Sequence, residues 1–237
     1  FSIIIERRFL IAIIKLCPSP CCRLNCNTPV INLYRESKKH MKKMILMNPG
    51  PVNVTDRVRD AQLRGDLCHR EPEFSDLMGS IRKKLLQAFD IEKEYSAILI
   101  TGSGTAALEM AVSSCLTPDR SMLVIQNGVY GNRIGKMADV YRMSKHTINY
   151  NWGEIPKLEE VEQALQENSS IEVIAMVHHE TTTGLLNPLP EIALLAKQYD
   201  KRLVVDCISS LGGDKINFGQ YPIDFAVGTA NKCIHGL

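Results

Sequence analysis

From about residue 97 onward the chain alternates between short apolar runs and longer amphipathic stretches, and this alternation does most to limit the fold. Ala97–Thr101, Met122–Gln126, Ile171–His178, Arg202–Asp206 and Phe225–Thr229 read as strands, with His146–Tyr150 a weaker one. Between them, Thr105–Leu116, Gly131–Met143, Pro156–Glu167 and Pro190–Tyr199 read as helices. Strands rich in Val and Ile that alternate with helices predict an α/β fold, a mostly parallel sheet with helices on both faces. Crossover helices make neighbouring strands parallel. Ligands in such sheets bind beyond the carboxyl ends of the strands. Ahead of this region, Asn48-Pro49-Gly50-Pro51 predicts a rigid turn or extended segment. Glu73–Phe89 predicts an amphipathic helix through Phe74, Leu77, Met78, Ile81, Leu85 and Leu86.

The 237 residues are 45% hydrophobic and 23% charged, enough for one large domain with its own core. A net charge of +2 gives no ground for a nucleic acid or an anionic membrane as partner. That charge divides into +5 over residues 1–40 and −3 over the rest. The first forty residues also begin with Phe and carry Cys17, Cys21, Cys22 and Cys26. Their apolar runs, Ile3–Ile5 and Phe9–Ile14, are too short to span a bilayer, and no small-residue cleavage site follows. The cysteine spacing lacks the paired Cys-x2-Cys of structural zinc sites. Residues 1–40 are therefore expected to be a non-native or disordered extension, ahead of a domain at 41–237 that starts at Met41 or Met44. Cys68, Cys115, Cys207 and Cys233 are expected to be buried reduced thiols in a cytoplasmic protein.

Three features at strand ends carry chemistry. Thr101-Gly102-Ser103-Gly104-Thr105 leads from a strand straight into a helix. Glycines there free backbone N–H groups, the helix dipole favours an anion, and Ser103 and Thr105 add hydroxyls. Asp206 ends an apolar strand, where a carboxylate can pair with a protonated ring nitrogen. Lys232, after the last strand, offers an amine able to attack a carbonyl. Each has a plain alternative: an ordinary strand-to-helix turn, an aspartate capping the next turn, a surface lysine. Together they supply the phosphate cradle, the pyridinium partner and the Schiff-base amine that pyridoxal 5′-phosphate requires.

Two further segments bear on the same ring. Tyr130, flanked by Gly128 and Gly131, is a candidate to stack on it or to pack in the core at a helix start. His178-His179-Glu180 suggests a metal, but adjacent residues of an extended chain point apart, and the metalloprotease pattern needs His at i and i+4 of a helix. No metal site is expected. Thr181, just beyond, is a candidate to bond the ring's phenolic oxygen.

These motifs carry a family resemblance: Asn48–Pro51, Cys68-His69-Arg70-Glu71-Pro72-Glu73-Phe74, Thr101–Thr105, Asn127–Gly131, His178–Gly184, Asp206–Gly213 and Asn231-Lys232-Cys233. In order and content they resemble the class V, fold type I pyridoxal-phosphate aminotransferases, over about residues 44–237. The runs His179–Pro188 and Ser209–Gly213 are most similar to members that move an amino group from 2-aminoethylphosphonate to pyruvate. Alanine–glyoxylate and serine–pyruvate members share the skeleton. The resemblance implies that Lys232 is catalytic and holds the cofactor, and that Asp206 pairs with its ring nitrogen. It implies that Ser103, Gly104 and Thr105 bind its phosphate, that Thr181 meets its phenolic oxygen, and that Tyr130 stacks on its ring. It also implies a homodimer acting on a small amino donor and a 2-oxo acid. Family members run well past the lysine, whereas this chain stops five residues after it. The small C-terminal domain is therefore expected to be missing, and an inactive fragment stands as the alternative to an enzyme.

Overall fold

The computed structural model describes residues 2–6, 12–13 and 44–236. Its strands are β1 (Ser2–Glu6), β2 (Ala12–Ile13), β3 (Ser96–Ile100), β4 (Ser121–Gln126), β5 (Ser144–Asn149), β6 (Ile171–Val177), β7 (His179–Glu180), β8 (Leu185–Leu186), β9 (Arg202–Asp206) and β10 (Phe225–Thr229). The helices are α1 (Asp56–Asp60), α2 (Pro72–Ala88), α3 (Gly104–Ser114), α4 (Val129–Val140), α5 (Leu158–Glu167) and α6 (Leu189–Gln198). Eight strands form one sheet in the order β3-β2-β1-β10-β9-β6-β4-β5, and β7 and β8 form a separate ribbon. From β10 to β5 every pairing is parallel.

Alternate residues of the central strands serve opposite faces, as the two-residue strand period demands. Leu123, Ile125, Ile174, Met176, Leu203 and Val205 meet Val161 and Leu165 of α5 and Leu189, Ile192 and Ala196 of α6. Their neighbours Met122, Val124, Val173, Ala175 and Val204 meet Leu108 and Val112 of α3 and Ile134 of α4 on the other side. Both faces are dry, so these strands are nearly all-apolar rather than alternating.

Two sequence expectations change. Ser2–Glu6, read as part of an extension outside the domain, pairs antiparallel with β10, Ile4 opposite Val227. Ser2 and Ile3 also pair with Ile13 and Ala12 of β2, and Ile13 pairs with Ile100 of β3. The reason is in the residues: Ile3-Ile4-Ile5 is a β-branched run, which suits a strand better than a membrane or signal segment. The four N-terminal cysteines lie outside the described residues. Of the other four, Cys115 and Cys207 are buried, Cys233 is half-buried and Cys68 is exposed. Cys68 precedes α2, whose apolar stripe is half-buried with no fully buried residue. Only the end of that helix, at Leu85 and Leu86, reaches the core. Among the described residues no helix is long and apolar enough to cross a membrane.

Candidate active site

The ends of β3, β6, β9 and β10 open on a cavity of about 450 Å³, within the range of small-molecule sites. Gly102, Ser103, Gly104, Thr105, Tyr130, His179, Asp206 and Lys232 are among the residues that line it.

At the end of β3 the chain turns into α3. Ser103 is the N-cap, with extended backbone, and its Oγ accepts a hydrogen bond from Ala106 N at 3.3 Å. The N–H groups of Gly104 and Thr105, first in the helix, have no acceptor within it. Added to the Ser103 and Thr105 hydroxyls, they make an anion cradle.

Asp206 closes β9 and is 3% exposed. One carboxylate oxygen accepts from Ile208 N at 2.9 Å, and the other, Oδ2, is buried with no hydrogen-bond partner. Burial raises this carboxyl from an ordinary 3.8 to about 7. The Ile208 N–H opposes the rise, the nearby Glu180 charge adds to it, and Arg133 opposes it. A buried carboxylate with a free oxygen facing a cavity is the partner a cationic ring needs.

Lys232 follows β10 in a turn. Its Nζ donates to the Gly50 carbonyl at 3.0 Å, so the Asn48–Pro51 segment lies directly against the lysine. Gly50 has φ +140°, and a Cβ built on it would coincide with the Lys232 side chain. Glycine is required there for both reasons.

The two histidines point apart, as extended backbone dictates. His178 is buried, and its Nδ1 shares a hydrogen bond with Ser210 Oγ at 2.9 Å. Desolvation drives it down to about 4, with Asp214 opposing and His179 adding to the fall. His179 faces the cavity; its Nδ1 is 3.4 Å from Asp214 Oδ2 but makes no hydrogen bond.

Glu180 is fully buried and caps α4 from across the chain. Its Oε2 accepts from Tyr130 N and Gly131 N, each at 3.1 Å, while Oε1 accepts from the Thr182 hydroxyl at 2.6 Å. A carboxylate at a helix N-terminus is favoured by the exposed N–H groups and the dipole. This cap starts α4 at Val129, two residues before the predicted Gly131, and puts Tyr130 in its first turn. One turn on, the Arg133 guanidinium lies over the Tyr130 ring at 4.7 Å, and Nη1 donates to Thr105 Oγ1 at 2.9 Å.

The structure thus brings Ser103, Gly104, Thr105, Tyr130, Asp206 and Lys232 around one cavity. Thr181 is not among its lining residues; it lies in the half-buried turn after β7. Sequence reasoning missed Arg133 and Glu180. Arg133 was within reach, since i and i+3 share a helix face with Tyr130. Glu180 was not, because its partners are about fifty residues away in sequence.

Comparisons with known proteins place the chain in a family. The chain matches the family model described as aminotransferase class-V over residues 59–237. It is 38% identical over 194 residues to a 2-aminoethylphosphonate–pyruvate transaminase of Vibrio cholerae serotype O1, covering 81% of this chain and 53% of that protein. A protein of the same name from Phocaeicola vulgatus is 38% identical over 199 residues, covering 83% and 55%. Among solved structures, pyridoxamine–pyruvate aminotransferase from Mesorhizobium loti superposes with TM-score 0.75 at 28% identity, covering 84% of this chain and 50% of that one. Alanine–glyoxylate aminotransferase from Nostoc sp. gives 0.73 at 29%, covering 85% and 55%. The chain belongs to the class-V aminotransferase family, and its α/β fold is that of fold type I pyridoxal-phosphate aminotransferases. It spans about half the length of the curated relatives it matches.

Proposed function

We propose that this chain carries the cofactor-binding part of a pyridoxal 5′-phosphate-dependent transaminase that moves the amino group of 2-aminoethylphosphonate to pyruvate, yielding phosphonoacetaldehyde and alanine. The observation that carries the cofactor reading is the orphaned, buried Oδ2 of Asp206, lining the same cavity as Lys232 and the N-terminus of α3. The residues fit the group: a cradle for a dianion, an unpaired buried carboxylate for a ring N–H, and a primary amine on the same cavity. The donor is argued from the relatives that carry that name at 38% identity.

When bound, pyridoxal phosphate supplies an electron sink that makes the C–H beside the donor nitrogen acidic. Lys232 Nζ, which lines the cavity, would be the amine that holds the cofactor through its aldehyde, and as a free amine it would be the base that holds and returns that proton. Asp206 would pair with the ring nitrogen and favour its protonated form. Ser103, Gly104 and Thr105 would hold the phosphate, and Tyr130 would support the ring face. Because one site serves donor and acceptor in turn, kinetics are ping-pong.

The test is spectroscopic. Pyridoxal 5′-phosphate added to the purified chain should give a visible band that is absent in Lys232→Ala. Adding 2-aminoethylphosphonate should then shift the band in one turnover, and pyruvate should restore it. Conversion by serine or alanine with 2-aminoethylphosphonate inert would overturn the donor assignment and leave the cofactor reading standing.

A further inference from the structure

Arg133 is a half-buried cation lining the cavity, with no carboxylate in ion-pair range among the described residues. Two contacts hold it. Its guanidinium rests on the Tyr130 ring, a cation–π arrangement, and Nη1 donates to Thr105 Oγ1. Tyr130 is itself anchored through its backbone N–H to the buried Glu180. A relay thus runs from Glu180 through the start of α4 to Arg133, and from Arg133 to the first turn of α3.

The bond to Thr105 has a direction. A guanidinium only donates, so Thr105 Oγ1 must accept, and the threonine's own hydroxyl hydrogen points elsewhere. Thr105 is the second residue of α3, where the free N–H groups define the anion cradle. Arg133 therefore frees the Thr105 hydroxyl to donate into the cradle and sets a fixed positive charge behind it. A phosphate dianion gains from both, whereas a hydroxymethyl group at the same place gains little.

We propose that Arg133 is the positioning residue that makes this site selective for the phosphorylated form of its cofactor, acting through the Thr105 hydroxyl. This rests on the pyridoxal phosphate reading above. The stacked position also distinguishes Arg from Lys, because a compact ammonium cannot lie flat on Tyr130 and reach Thr105 together.

The experiment compares dissociation constants for pyridoxal 5′-phosphate and for pyridoxal, read from the visible band, in the wild-type chain, Arg133→Gln, Arg133→Lys and Thr105→Val. Circular dichroism of each variant reports folding. Arg133→Gln should weaken pyridoxal 5′-phosphate roughly 10- to 100-fold, the loss of a charge-assisted contact, and change pyridoxal by less than about twofold. Arg133→Lys should fall between. The double variant with Thr105→Val should lose less than the product of the single losses, because both act on one contact. Inorganic phosphate should compete with pyridoxal 5′-phosphate more strongly in the wild type than in Arg133→Gln. Equal losses for the two aldehydes, or no loss for either, in a folded variant would overturn the proposal alone. A wild-type chain that gives no band with either aldehyde would overturn the cofactor reading and this proposal with it.

Discussion

Asp206 and Lys232 each depend on a contact that a single substitution can test. In the cofactor-free chain the folded state holds the Asp206 proton more tightly than the unfolded state, about 7 against 3.8. The sign follows: below pH 3.8 Asp206 has no effect on stability, from 3.8 to 7 stability falls as pH rises, and above 7 the whole penalty is present. Asp206→Asn removes the penalty. The variant should be more stable than wild type at pH 8 by up to about 4 kcal/mol, and equal to it near pH 4, measured by urea unfolding of both without cofactor. A constant difference across that range would disprove the account. His178 acts in the opposite sense, since its stabilising neutral form is lost as pH falls from about 6.5 toward 4, but it is common to both proteins and cancels. Gly50→Ala should leave the circular dichroism unchanged and reduce cofactor band formation by roughly tenfold or more. The added methyl displaces Lys232 and the backbone is strained, each costing on the order of 1–3 kcal/mol. An undiminished band would mean that the Asn48–Pro51 segment does not govern the lysine.

Among the elements, α4 is the one whose start is fixed from outside. Its N-cap, Gly128, offers no side chain, and Glu180 on β7 does the capping instead. Glu180→Ala should cost about 1–3 kcal/mol, because it strands the buried Gly131 N–H and the half-buried Tyr130 N–H. In a domain of this size that is a fall of several degrees in Tm, measurable by calorimetry. Glu180→Gln, which keeps an accepting oxygen, should recover part of it; a Gln variant as unstable as the Ala variant would show that charge, not hydrogen bonding, is what the cap supplies. Element types were legible in the sequence because periodicity is local. Every predicted strand and helix from residue 73 to 229 is present, with no end shifted by more than three residues. At the start of α4 the shift follows a tertiary contact, the Glu180 carboxylate on Tyr130 N and Gly131 N. At β1 the pairing partner, β10, lies more than two hundred residues away, beyond the reach of any local pattern.

Across the whole molecule the sheet is buried on both faces, so losses should track burial and not position in sequence. Ile174→Ala and Met176→Ala, both 0% exposed, should each cost about 2–5 kcal/mol, while Val140→Ala, 75% exposed, should stay within about 0.5 kcal/mol. Urea midpoints at unchanged m-value would check this, and a similar cost at Val140 would mean that its face is covered in the protein studied. The sequence by itself determined the α/β class, the strand ends that carry Ser103, Asp206 and Lys232, and the family. Strand period, turn chemistry and motif order are all written within a few residues. Only the tertiary structure decided that Thr181 stays outside the cavity on which these strand ends converge. It alone orphaned one oxygen of Asp206, laid Gly50 against a lysine 182 residues away, and joined Glu180, Tyr130, Arg133 and Thr105. The physical reason is strand order: β10, β9, β6 and β4 are neighbours because helices on both faces seal the sheet in that arrangement, and no local pattern specifies which loops then meet.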